Sequence, residues 1–144
     1  MPAVSKVSIH HINLVVPDLD LAVERFEKII GALAMAEEAL PDRHVAIRRF
    51  DMGGTWLVLV MPTSDASPAA HWMRRHGPGL FLLSFGVDDL DNALANLADE
   101  DIDLQGEPRK GLDGWRVQDF DPASIFGIPL QLTQETGKQG EEQQ

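Results

Sequence analysis

Ile12-Asn13-Leu14-Val15-Val16-Pro17-Asp18-Leu19-Asp20-Leu21-Ala22-Val23 returns, at a constant offset of 71 residues, as Leu83-Ser84-Phe85-Gly86-Val87-Asp88-Asp89-Leu90-Asp91-Asn92-Ala93-Leu94. Apolar residues coincide at 12/83, 14/85, 16/87, 19/90, 22/93 and 23/94, and aspartates at 18/89 and 20/91. Self-similarity of this kind marks two copies of one supersecondary unit. In the first copy, residues 9–16 alternate as a half-buried strand does, with Ile12, Leu14 and Val16 on one face and Ile9, His11, Asn13 and Val15 on the other. Asp18 or Asp20 then caps a helix, because a short carboxylate accepts from the free N–H groups of a first turn. Leu19, Ala22, Val23, Phe26, Ile29 and Ile30 recur at helical spacing, and Gly31 ends the run.

Working outward, three strands are expected at 33–37, 44–50 and 55–61, with Asp51-Met52-Gly53-Gly54 as the turn joining the last two. The second copy predicts a strand over 80–87, a helix capped by Asp91 and running to about Asp99, and short strands near Leu104, at 116–120 and at 129–133. Lys110-Gly111-Leu112-Asp113-Gly114 reads as a loop. Between the copies, Ser67-Pro68-Ala69-Ala70-His71-Trp72-Met73 carries an N-cap serine and a first-turn proline, the signature of a short connector helix. The expected architecture is one α+β domain over 1–136. It comprises two tandem βαβββ modules (8–61 and 80–135), joined by a connector (62–79) and curled as a curved sheet around a central cleft. A polar tail, 137–144, is expected to be disordered.

Composition narrows the chemistry. The chain of 144 residues has no cysteine, which removes disulfides and thiolate metal sites, so any metal needs His, carboxylate, amide or water. The formal net charge of −11 repels polyanions, and Arg48, Arg49, Arg74 and Arg75 form two pairs rather than a basic stripe, so no nucleic-acid partner is expected. No apolar run approaches the roughly 18 residues of a membrane span, and the first residues lack an apolar signal segment, so no membrane partner and a cytoplasmic location are expected.

The segments His11-Ile12-Asn13-Leu14-Val15-Val16-Pro17-Asp18-Leu19-Asp20, Gly79 through Leu90, and Phe126-Gly127-Ile128-Pro129-Leu130-Gln131-Leu132, taken with the repeat and the order of elements, resemble the vicinal oxygen chelate superfamily. This is the glyoxalase/bleomycin resistance/dioxygenase type, and the match is to its methylmalonyl-CoA epimerase-like branch. The resemblance implies a metal cleft with four ligand positions, which carry over to His11, Leu59, Leu82 and Gln131. Only His11 keeps the family's residue type. Gln131 stands where a glutamate is usual, and the two leucines offer no lone pair. A divalent ion, the family's usual cofactor, needs several donors and some negative charge, so a degenerate metal site and no resident cofactor are expected. The resemblance also implies two carboxylate bases, which fall on Gln131 and Ala46; neither side chain can take a proton.

What remains is a set of polar cleft candidates. His11 and His44 are the proposed proton-exchanging groups, and Arg48 is the clamp for an acidic ligand. Asn13 and Ser84 flank them, Leu57, Leu59 and Leu82 form an apolar floor, and Trp115 is a residue able to close over a ligand. His10 falls on the opposite face of its strand and reads as a surface residue; the alternative for His11 is a relic bonded into the cleft wall. Three functions stay open. One is an isomerase or lyase acting, without a metal or with an atypical one, on a small organic acid or its CoA thioester. Another is a non-catalytic binder of an apolar small molecule, and the third is a structural domain. A small organic ligand and a second copy of the chain are the expected partners.

Overall fold

A computed structural model describes residues 7–135; the expected tail, 137–144, lies outside the described residues. The fold is mixed α+β, and the chain divides into two compact units. One is His11–Phe81; the other comprises residues 82–135 with 7–10. The strands are β1 (Ser8–Val15), β2 (Glu38–Leu40), β3 (Val45–Asp51), β4 (Trp56–Pro62), β5 (Gly79–Gly86), β6 (Leu104–Lys110), β7 (Trp115–Phe120) and β8 (Leu130–Glu135). The helices are α1 (Leu19–Ile30), α2 (Pro68–His76) and α3 (Leu90–Ala95).

Within the first unit the strand order is β2-β3-β4-β1, with β1 parallel to β4 and the other pairs antiparallel. Asp18, in extended conformation, accepts from the Leu21 N–H and so starts α1; Gly31, at φ 78°, ends it in the left-handed conformation that an L side chain adopts only at a cost. Leu19, Val23, Ala46, Phe50 and Leu59 are buried together, with Leu14, Val16, Phe26, Leu57 and Met61 packed around them. Each of the large members contributes about 1.5–3 kcal/mol on leaving water. Ile29, included in the predicted apolar stripe, is exposed. The opposite face of the strands carries His11, Asn13 and Val15 on β1, Trp56, Val58 and Val60 on β4, and Ile47 and Arg49 on β3, as alternation and register require.

The second unit repeats the topology as β6-β7-β8-β5, with β5 parallel to β8. Its α3 lies on the face of Arg116 and Gln134, since Asp91 pairs with Arg116 at 2.8 Å and the Leu90 N–H donates to Gln134 Oε1 at 2.7 Å. Alternation then puts Ser84, Gln131, Thr133 and Asp119 on the face away from α3. Among the described residues, no helix is long and apolar enough to cross a membrane.

Two predicted boundaries move. Residues 33–37 are not a strand, and the short β2 follows them. Side chains take most of the backbone bonds seen there, with Glu27 accepting from the Ala34 N–H and Arg48 donating to the carbonyls of Ala34 and Met35, and the Met35 N–H makes a single backbone bond to the Arg49 carbonyl. The second module's helix is capped by Asp89, not Asp91, and ends at Ala95. The connector helix begins as read, with the Ser67 hydroxyl accepting from the Ala69 and Ala70 N–H groups and Pro68 in the first turn.

Candidate functional site

In the second unit a hydrogen-bonded chain crosses four strands. Ser84 Oγ and Thr133 Oγ1 lie 2.6 Å apart, Thr133 Oγ1 donates to Gln131 Oε1 at 3.2 Å, and Gln131 Nε2 donates to Asp119 Oδ1 at 2.8 Å. Arg109 closes the chain, with Nε 2.8 Å from Asp119 Oδ2 and Nη2 3.3 Å from Oδ1. A hydroxyl has one proton. Thr133 gives its proton to Gln131, so Ser84 must donate to Thr133, and every donor in the chain points toward Asp119. Ser84, Thr133 and Gln131 are buried, and Asp119 retains 23% of its side-chain exposure.

A break in β6 aims Arg109 at this carboxylate. Gln105 faces Asp119 and Arg109 faces Val117, so Gly106, Glu107 and Pro108 stand opposite Gln118 alone. Gly106 supplies a positive φ of 74°, and proline has no ladder donor to lose. Gln118 Nε2 holds the bulge by donating to the carbonyls of Gly106 at 3.1 Å and Asp119 at 2.8 Å.

A second polar cluster stands beside it. His10, 6% exposed, places Nε2 2.5 Å from Glu135 Oε2, and its ring meets Trp115 edge-on with centroids 4.5 Å apart. Gly86 lies against this strand end, where a Cβ would stand 2.6 Å from Ser8 Oγ and at an ordinary contact of 3.5 Å from His10 Cβ and Cδ2. His10 is therefore a buried, carboxylate-paired residue, which corrects its reading as a surface group. Trp115 is buried at the start of β7, so it is a wall of this cluster and not a mobile flap.

In the first unit the structure redistributes the candidates. His11 is buried on the β1 face that carries Asn13, and the Oδ1 atom of Asn13 is buried without a hydrogen-bond partner among the described residues. Leu57 and Leu59 pack with the α1 core, so Val58 holds the β4 position on the His11 face. Ala46 lies in the same core. His44 stands before β3, exposed, at φ 55° after a turn of 3-10 helix, and so is not a strand residue sharing a face with Arg48. Arg48 holds the Ala34 and Met35 carbonyls, whereas Arg49 is the buried arginine on the His11 side of β3, paired with Glu38 at 3.1 Å and lying over the Trp56 ring at 4.3 Å. In the second unit Leu82 shares the Ser84 face by alternation.

Sequence reading missed Asp119, Arg109, Thr133, His10 and Glu135. The one available signal was the opposite-charge pair Arg109/Asp119 straddling the Gly111–Gly114 turn. Phe126 was also missed; it is 96% exposed at φ 58°.

The family-implied metal can be tested against these residues. At its first-unit positions they offer one imidazole and, with the face corrected, Val58. At its second-unit positions they offer Leu82 and an amide whose oxygen already accepts from Thr133. Among the described residues no three His, Asp or Glu side chains form a metal-holding group. One imidazole and one engaged neutral amide do not meet the needs of a divalent ion, so the donor set does not fit the metal.

Residues 10–118 match the family described as the Glyoxalase/Bleomycin resistance protein/Dioxygenase superfamily. The uncharacterized protein YqjC of Bacillus subtilis is 26% identical, covering 92% of this chain and 95% of that protein. An ethylmalonyl-CoA/methylmalonyl-CoA epimerase from Cereibacter sphaeroides is 26% identical over 88% of this chain and 96% of its own length. The crystal structure of methylmalonyl-CoA epimerase from Mycobacterium tuberculosis superposes with a TM-score of 0.87 at 26% identity, covering 98% and 97% of the two chains.

Proposed function

Given that the chain belongs to the glyoxalase/bleomycin resistance protein/dioxygenase superfamily, we propose that it is an isomerase acting on the CoA thioester of a small organic acid, by moving a proton at the carbon next to the thioester carbonyl. The similarity to proteins named epimerases over nearly their full length supports the reaction class. The observation that carries the reading is the buried chain from Ser84 through Thr133 and Gln131 to Asp119. A strand face serving packing alone would be apolar, because each buried polar group must be fully bonded to avoid a cost of about 1–3 kcal/mol.

A proton beside a thioester carbonyl is acidic enough to leave when a positioned base takes it and the enolate charge is stabilised. Ser84 enters the proposal as the start of the donor chain that ends on Asp119, and His11 and Asn13 remain proposed functional residues of the first unit. His44 and Arg48 leave the proposal, since one is off the strand and the other is occupied by backbone carbonyls. The reaction as proposed uses no resident metal, because the donor set does not fit one. The binder alternative drew its motive from leucine at two ligand positions; of these Leu59 belongs to the α1 core, while Leu82 stays on the Ser84 face. A homodimer and a cytoplasmic location complete the reading; sedimentation of the purified chain tests the first.

The test of function is to incubate the purified chain with methylmalonyl-CoA and with ethylmalonyl-CoA in deuterium oxide and follow deuterium at the acidic carbon by mass spectrometry. Catalysed incorporation on either thioester supports the reading. Binding of both, seen as raised melting temperatures, with no exchange above background, overturns it in favour of a binding protein.

A further inference from the structure

We propose that Asp119 is the base of this reaction, replacing by one strand the carboxylate that the family carries at position 131; the proposal rests on the isomerase reading above. Position 131 holds an amide, and the other inherited base position, Ala46, is sealed in the α1 core. Gln131 nevertheless faces Asp119 directly across the β7–β8 ladder, with Nε2 2.8 Å from Oδ1. The carboxylate has therefore moved sideways to the neighbouring strand, on the same face.

Three observations separate Asp119 from an ordinary ion-pair partner. Its side chain is 23% exposed and that of Arg109 31%, so a ligand reaches the carboxylate, while Ser84, Thr133 and Gln131 behind it are buried. Its Oδ2 accepts from Arg109 Nε at 2.8 Å, and a carboxylate oxygen has a second lone-pair site for an incoming proton. The donors Ser84, Thr133 and Gln131 all point along one line that ends on its Oδ1, which fixes the carboxylate plane independently of Arg109.

The first unit supplies an internal control. By register, Arg49 faces Val58 as Asp119 faces Gln131, so positions 49 and 119 are equivalent. There too an arginine pairs with a carboxylate, but in reverse order, with Arg49 on the inner strand and Glu38 on the edge strand. Its inner partner is Val58, which cannot extend a polar chain. A staple between the outer strands works in either order. Only the second unit puts the carboxylate inward and leads a chain of donors to it.

In the proposed step Oδ2 of Asp119 takes the proton from the carbon beside the thioester carbonyl. The C–H electron pair passes into the carbonyl as an enolate. Asp119 then releases its proton to water, and a solvent proton delivered to the other face of the enolate inverts the centre; return from Asp119 itself restores it. Inversion introduces deuterium from heavy water; return from Asp119 does so only after its carboxyl proton has exchanged with solvent.

The test measures exchange on methylmalonyl-CoA and ethylmalonyl-CoA in deuterium oxide for the full chain, Asp119→Asn and Arg109→Met, with melting temperature and acyl-CoA affinity recorded alongside. We expect Asp119→Asn to lose at least about 100-fold in exchange, the scale of a removed general base, with affinity changed less than about threefold. Arg109→Met keeps the carboxylate and is expected to lose less than about tenfold. Exchange by Asp119→Asn within about threefold of wild type, or equal losses in the two variants, overturns the assignment and leaves the isomerase reading standing. An inert wild type overturns both. Should Asp119→Asn fail to fold, Asp119→Glu takes its place, since it keeps the ion pair and moves the carboxylate by one methylene. A loss of about tenfold or more is then expected, and unchanged exchange overturns the proposal.

Discussion

Gln131 accepts from Thr133 with its amide oxygen and donates to Asp119 with its amide nitrogen. Glutamate at this position has the same shape but no donor, and it would set a second carboxylate against Asp119 Oδ1 where the structure has a 2.8 Å hydrogen bond. Gln131→Glu is therefore expected to destabilise the fold by about 1–3 kcal/mol through a lost bond and like-charge contact, seen as a lower midpoint in urea; an unchanged midpoint would mean that the chain around Gln131 does not hold the strands. Phe126 poses the opposite case. At φ 58° an L side chain bears about 1–2 kcal/mol of steric cost, and a ring 96% exposed gains little from packing. Glycine removes that strain and adds about 0.4–1 kcal/mol of unfolded-state entropy. Phe126→Gly should keep or slightly raise the melting temperature. A clear drop would show that the ring packs against something in solution.

At the scale of the element, helix starts are the most portable lesson of the repeat. Asp18 and Asp89 occupy equivalent positions and each accepts an N–H of the first turn, from Leu21 and Asn92 respectively. Asp18→Ala is expected to cost about 1 kcal/mol, the usual loss of a cap, and Asp89→Ala a similar amount, both read by chemical denaturation; equality with wild type would mean that the caps are redundant. The repeat, both helix starts and most strands were legible because alternation, capping residues and glycine stops act locally. The faces of β3 and β4 were not. Val45-Ala46-Ile47 and Leu57-Val58-Leu59-Val60-Met61 are apolar at successive positions, so alternation carries no phase, and a one-residue slip exchanges the faces. That slip placed Leu59 where Val58 stands and Arg48 where Arg49 stands. The Arg109–Asp119 pair escaped reading for a different reason. The bulge at Gly106, Glu107 and Pro108 resets the register of β6 by an amount that no periodicity encodes.

At the scale of the molecule, one topology carries two different chemistries. On its helix-free face the first unit sets His11 and Asn13 of β1 beside Val58, Val60, Ile47 and the Glu38-paired Arg49, and the second sets Ser84, Thr133, Gln131 and Asp119 beside Leu82 and Val117. Duplication thus preserved the register while the side chains diverged, which is why similarity to the superfamily is clear in the fold and faint in the inherited ligand positions. The charge of the whole chain acts on both units alike. With 23 acidic against 12 basic residues, the folded state holds like charges closer together than the unfolded chain does. Exposed pairs such as Lys28–Glu24 at 3.2 Å and Arg74–Asp65 at 3.8 Å offset little of this, at about 0–1 kcal/mol each. Raising sodium chloride from about 0.01 M to about 0.1 M shortens the screening length from roughly 30 Å to roughly 10 Å, which weakens long-range repulsion more than contact pairs. The melting temperature should therefore rise by a few degrees over that range at neutral pH. A fall would mean that the surface ion pairs outweigh the net charge, and that the acidic excess stabilises this fold through local partners.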